Sequence, residues 1–111
     1  MKERKVIVTW EAIYDIVDIA ESIELNFGKK VADNFQSEIY SKIISLDRDA
    51  DIFRKLDMTY RGWTIKRRIY KKSLIFYVVK ENEVHVLRVL TSNQKWQDYI
   101  SYLGRLSRYK K

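Results

Sequence analysis

Cysteine and proline are missing altogether from this 111-residue chain, histidine occurs once and glycine three times. Without cysteine there is no disulfide, no thiolate nucleophile and no zinc framework of the usual kind. The single histidine, His85, cannot build a metal site, and no motif places a serine or aspartate partner for it, so its expected role is structural. No glycine-rich phosphate loop and no dinucleotide fingerprint is present, and the sequence implies no cofactor and no small-molecule substrate. Asp47, Asp49 and Asp51 begin like a calcium loop, but Ile52 stands where that loop needs glycine and Met58 where it needs a bidentate glutamate. Those acids are expected to solvate a loop, and no metal is implied. Long apolar runs are absent too. After the charged Met1-Lys2-Glu3-Arg4-Lys5 only Val6-Ile7-Val8 follows, far short of the roughly 7–15 apolar residues of a signal-peptide core. Nothing approaches a bilayer span. The expected compartment is the cytosol, with no membrane partner.

What remains suits one globular domain over residues 1–111. Apolar residues make up 46% and aromatic residues 14%, which argues against disorder. The net charge of +7 is unevenly placed. Residues 1–53 carry 7 Lys/Arg against 11 Asp/Glu; residues 54–72 carry 8 against 1; residues 73–111 carry 7 against 3. An acidic front and a basic back point to an acidic partner for the stretch from Arg54 to Lys72. The alternative is a solvated face, which interspersed acids would suit better.

Periodicity sets the expected elements. Arg4 to Val8 reads as a short strand, and Thr9 as the cap of a helix from Trp10 to Phe27. Ile13, Ile16, Ala20, Ile23 and Phe27 fall on one face of that helix, with Asp15, Asp18, Glu21 and Glu24 largely away from it. Gly28 can end it, and a second helix follows from about Lys29 to Leu46, with Ala32, Phe35, Ile39, Ile43 and Leu46 on its apolar face. So short a joint predicts an antiparallel helical hairpin. Asp47 to Arg61 has weak periodicity and is expected to be a loop, with Ile52, Phe53 and Leu56 turned into the core. Trp63–Tyr70, Leu74–Lys80 and Val84–Leu90 then read as three strands joined by tight connections, the last of them the most central. A final helix is expected from about Gln94 to Ser107, with Trp96, Ile100, Leu103 and Leu106 along one side. The expected class is α+β, in the order β-α-α-β-β-β-α: a small, mainly antiparallel sheet with a helical hairpin on one face.

Within the basic stretch, alternation places Trp63, Ile65 and Ile69 on one sheet face and Thr64, Lys66, Arg68 and Tyr70 on the other. Lys66 and Arg68 are expected to project outward with Tyr70 beside them, able to grip phosphate and stack on a base or to pair with carboxylates. Arg67 breaks the apolar face. Arg61, Lys66, Arg68, Tyr70, Lys71 and Lys72 are the expected partner-binding residues.

Several stretches together resemble the RelE/ParE toxin superfamily of bacterial toxin–antitoxin systems, and its ParE branch more than its RelE branch. They are Val6-Ile7-Val8-Thr9-Trp10 with Ala12 and Ile16; Gly28 with Ala32 and Phe35; Ile69-Tyr70-Lys71-Lys72-Ser73-Leu74-Ile75-Phe76-Tyr77-Val78; and Val84, Val86-Leu87-Arg88-Val89-Leu90 leading to Trp96. The match covers nearly the whole chain, but mostly with core patterns, which speak for fold more than activity. The resemblance implies a toxin neutralised by a cognate antitoxin whose C-terminal segment orders around it. A ParE-like toxin binds DNA gyrase and stops replication. A RelE-like one enters the ribosome and cleaves mRNA with basic residues and a tyrosine. Carried onto this chain, the RelE set gives Lys66 and Arg68, Lys95 and Tyr99. Thr64 stands for the second lysine, Ser73 for one arginine and Gln94 for another, so that set is at best half present. An inactive relative kept as a binding module is the third reading.

Overall fold

The computed structural model describes residues 3–101. The chain runs β1 (Lys5–Val8), α1 (Trp10–Phe27), α2 (Lys29–Ile44), α3 (Leu46–Asp49), β2 (Arg54–Tyr60), β3 (Trp63–Tyr70), β4 (Ser73–Lys80) and β5 (Glu83–Thr91), and residues 96–101 open a further helix. The five strands form one sheet in the order β1-β5-β4-β3-β2. β1 lies parallel to β5 and every other pair is antiparallel.

Local chemistry explains the entry into α1. Thr9 is extended (φ −68°, ψ 157°) and its Oγ1 accepts from the Ala12 N–H at 3.1 Å, satisfying one of the amides a helix start leaves open. The same hydroxyl donates to the Leu87 carbonyl at 2.9 Å, which ties the cap to β5. At the far end Gly28 has φ +96°, a region a side chain disfavours, and its N–H closes α1 on the Glu24 carbonyl at 2.9 Å. One residue thus reverses the chain into α2.

The sheet is covered on both faces. On one, Ile75, Tyr77, Val86 and Val89 pack with Ala12, Ile16, Ile39 and Ile43 of the hairpin. On the other, Ile65, Phe76, Val78 and Leu87 pack with Ile100, and Leu56, Met58 and Trp96 close the edge. Double coverage makes β4 buried along most of its length. Central position therefore belongs to β4 and not, as its apolar sequence suggests, to β5, which is flanked by the four-residue β1.

The 47–61 segment is not a loop. It forms the single turn α3 and the edge strand β2, whose Leu56, Met58 and Tyr60 are half-buried while Lys55, Asp57 and Thr59 face solvent. Charged residues on an edge strand blunt unwanted pairing and also hide its period-two pattern. Phe53 and Leu56 join the core as expected, but Ile52 is 68% exposed. His85 meets Glu83, two residues back on the same strand face, at 2.8 Å. The expected continuation of the last helix through Leu103 and Leu106 lies outside the described residues, as does the basic Arg105–Lys111 end.

Asp15 is the main exception to the helical pattern, since it points inward instead of joining the solvated acids. Its carboxylate accepts from Arg88 Nε at 2.6 Å, Arg88 Nη2 at 2.8 Å and the Val89 N–H at 3.0 Å. The geometry comes from a bulge: Tyr77 pairs with Val86 and Phe76 with Arg88, leaving Leu87 unpaired. A bulge bends the strand and re-aims the neighbouring side chain, and here Arg88 reaches α1. The hydrogen bond to Asp15 raises the Arg88 pKa above its already high ordinary value. Replacing Asp15 by alanine leaves a half-buried guanidinium and the Val89 amide without their acceptor. We expect a loss of roughly 2–4 kcal/mol, read as a lower urea midpoint at unchanged slope.

Candidate functional site

The helical hairpin extends beyond the part of the sheet it packs on. Its buried stripe ends at Ala20 on α1 and begins at Ala32 on α2, while Phe27 is 71% exposed and Val31 47% exposed at the tip. Beneath the tip lies a groove of about 610 Å³ between α1, Phe35 of α2, the β3–β4 turn and the end of β5. Ile19, Ile23, Phe27 and Phe35 form its apolar wall, and Tyr70, Lys71 and Lys72 its basic rim. A second hollow of about 370 Å³ continues past Val31, Asn34 and Glu38.

The rim is held in place by short-range contacts. Lys71 and Lys72 form the two-residue turn that joins Tyr70 to Ser73, and Lys71 takes φ +54°, the conformation tight hairpin turns require. The Tyr70 hydroxyl donates to Glu38 Oε1 at 2.5 Å, and this bond is the main reason its pKa rises. Lys71 Nζ stands 3.8 Å from the same carboxylate, and the ammonium groups of Lys42 and Lys71 lie 5.6 Å and 5.4 Å from the Tyr70 ring centre. Such cation–ring contacts hold the half-buried Tyr70 in one orientation. The groove thus offers a greasy wall facing two lysines, a geometry that takes an amphipathic chain segment with acids along one side.

The residues expected to bind a partner do not form one surface. Alternation sorted β3 into faces correctly, but the Lys66–Arg68–Tyr70 face is the one the hairpin covers, so these side chains do not project into solvent. Lys66 is 6% exposed. Arg68 donates to the Lys42 carbonyl at 3.0 Å and to Ser45 Oγ at 2.6 Å, with its guanidinium 4.5 Å from the Phe53 ring centre. It therefore closes the C-terminal end of α2, where carbonyls lack helical partners. Tyr70, Lys71 and Lys72 come together on the groove. Arg61 sits in the β2–β3 turn at the opposite end of β3, with its guanidinium 5.3 Å from the Tyr60 ring centre.

The four residues carried over from the RelE pattern are likewise divided. Lys66 and Arg68 lie on the hairpin face, whereas Lys95 is exposed beside Trp96, which packs on the opposite face. Tyr99 is held by Arg88 at 5.5 Å, at the β5 edge. No single phosphate can meet all four. Arg67 also finds its explanation here: its guanidinium lies 5.4 Å from the Trp96 ring centre on the second face, and its Nε is buried without a partner. The groove wall was visible in sequence only as helical stripes, which do not say where burial stops. Among the described residues there is no cluster of His, Cys, Asp or Glu able to hold a metal, and no helix is long and apolar enough to cross a membrane.

Residues 6–96 match the family described as the ParE toxin of the type II toxin–antitoxin system parDE. The chain belongs to the ParE toxin family. A ParE-like fold is also seen in a solved chain from the chromosomal ParDE toxin–antitoxin system of P. aeruginosa, with a TM-score of 0.69 and 16% identity, covering 82% of this chain and 98% of that one. No curated protein matches. ParE membership, a type II toxin assignment and the α+β architecture therefore agree with the resemblance read from the core patterns.

The contrast between Arg68 and Lys72 is open to test. Arg68→Ala removes the cap on α2 and should destabilise this ParE-family chain by about 1.5–3 kcal/mol. Lys72→Ala, on the exposed turn, should change stability by less than about 0.5 kcal/mol. Equal midpoints for both variants in urea denaturation would contradict the assigned capping role.

Proposed function

We propose that this ParE-family toxin acts in the cytoplasm by binding DNA gyrase and arresting replication, and that a cognate antitoxin holds it inactive by laying an amphipathic, acidic segment in the groove under the hairpin tip. The observation that carries the antitoxin part is the pairing of the Ile23–Phe27–Phe35 wall with the Lys71–Lys72 rim. A segment that orders on binding needs a continuous apolar strip to offset its lost entropy and charges to fix its register. Both are present within one groove. Gyrase as the target rests on the family, and the antitoxin on the family together with the ParDE origin of the structural neighbour. The dispersal of Lys66, Arg68, Lys95 and Tyr99 weighs against the alternative, cleavage of mRNA on the ribosome. Of the expected partner residues, Tyr70, Lys71 and Lys72 are assigned to the antitoxin, whereas Lys66 and Arg68 are covered and Arg61 lies at the far end of β3.

Induced expression should arrest growth, and co-expression of the adjacent antitoxin gene should restore it. The purified protein should inhibit gyrase supercoiling. Cuts in ribosome-bound mRNA with no effect on supercoiling would replace gyrase by the ribosome as target, and normal growth with folded protein present would refute the toxin reading. For the groove, Phe27→Glu should weaken antitoxin binding at least tenfold, about 1.4 kcal/mol. Joint reversal of Lys71 and Lys72 to glutamate should do the same and reduce the salt dependence of association. Unaltered affinity in both variants would place the antitoxin elsewhere.

A further inference from the structure

The groove under the hairpin tip carries charge of both signs, on opposite walls. On the turn side Lys71 stands 3.8 Å from Glu38, whereas the Lys72 ammonium has no hydrogen bond or ion pair among the described residues. On the α1 side stands Asp18, exposed and equally without a partner. Its own helix cannot supply one, because α1 holds five acids and no lysine or arginine. The residues three and four positions from it, Tyr14, Asp15, Glu21 and Ser22, are neutral or acidic.

Both charges stand on anchored backbone. Asp18 follows Asp15 by one turn, and the Asp15 carboxylate is clamped by Arg88 and the Val89 N–H. The Lys72 carbonyl accepts from the Ser92 N–H at 2.8 Å, which ties the turn to the chain beyond β5. The apolar lining includes Ile19, Ile23 and Phe35. Phe27 lies nine residues beyond Asp18 on α1, about 13 Å at the helical rise, or some two and a half turns of a helix laid alongside.

An amphipathic segment in this groove turns its apolar side inward, and it can still run in either of two directions. Walls of one sign would not distinguish them. Walls of opposite sign do. Reversing the segment with its apolar side kept inward exchanges its flanks, which brings an acid to Asp18 and a base to Lys72. Like charges so juxtaposed oppose binding. We propose that Asp18 sets the direction in which the partner segment lies, by taking a lysine or arginine on the flank opposite the acids that face Lys72. This role rests on the groove being the antitoxin's site. It requires a segment that is not acidic throughout but carries a base on the side facing α1.

The test uses the full chain and the antitoxin encoded by the adjacent gene. Asp18→Asn should weaken binding about threefold, in keeping with an exposed ion pair. Asp18→Lys, which turns attraction into repulsion, should weaken it about tenfold. Both effects should shrink at high salt, and both urea midpoints should match wild type because Asp18 is exposed and unpartnered. Direction is read with two labelled helical peptides of equal composition, each with a leucine stripe, glutamates on one flank and one arginine on the other, the flanks being exchanged between them. One peptide should bind wild type about tenfold more tightly than the other, and Asp18→Asn should reduce that preference. Phe27→Glu should weaken both. Antitoxin binding that falls with Phe27→Glu but with neither Asp18 variant would overturn the role of Asp18 and leave the groove as the antitoxin's site. Binding indifferent to Phe27→Glu would remove the groove reading, and this role with it. Equal affinity of the two peptides, or none, would overturn the setting of direction.

Discussion

A single carboxylate sets where the helical layer meets the sheet. Asp15 holds three donors of β5, two from Arg88 and one from the Val89 backbone, so α1 is pinned at one height over one strand. On either side of that point Ala12 and Ile16 are fully covered. Past Ala20 the helix departs from its support, and the space between becomes the groove. A purely apolar contact at this position would let α1 slide, because hydrophobic packing has no direction. Bidentate geometry does not allow sliding.

The residues themselves show why some of this architecture was readable in advance. α1 and α2 were legible because three- and four-residue steps persist over many turns, and β3 to β5 because β-branched and aromatic residues sit between short turns. β2 was not, since an edge strand with Lys55, Asp57 and Thr59 outward looks like a polar loop unless its partner is known. Asp15 was unreadable for a related reason: an acid on a helix is ordinarily solvated, and only the bulge at Leu87 supplies its partner. Lys66 is the sharpest case. Alternation separates two faces without saying which is covered, and here Ile65 on one and Lys66 on the other are both buried. A basic strand read as an open surface instead has Lys66 buried and Arg68 bound at the end of α2.

Belonging to the ParE family and possessing a catalytic constellation are separate matters. The cations that sequence comparison lines up as one set fall on opposite sides of a sheet, and side chains on opposite faces cannot act on one atom. Arg68 serves the end of α2, Tyr99 packs against Arg88, and Arg67 lies over Trp96. Positive charge along this chain is thus divided among structural tasks, with a smaller share left at the Lys71–Lys72 turn.

The parallel pairing of β1 with β5 also governs the order in which the fold is completed. Thr9 finds its carbonyl 78 residues downstream and Asp15 its arginine 73 residues downstream. Contacts of such separation close the largest loops in the chain and are the slowest to form. On the ribosome, the first strand and the first helix wait for nearly the last strand to be translated. A partly synthesised chain lacks the clamp that positions α1, and with it the finished groove and sheet. The fold therefore imposes a delay between the start of synthesis and the appearance of a competent surface.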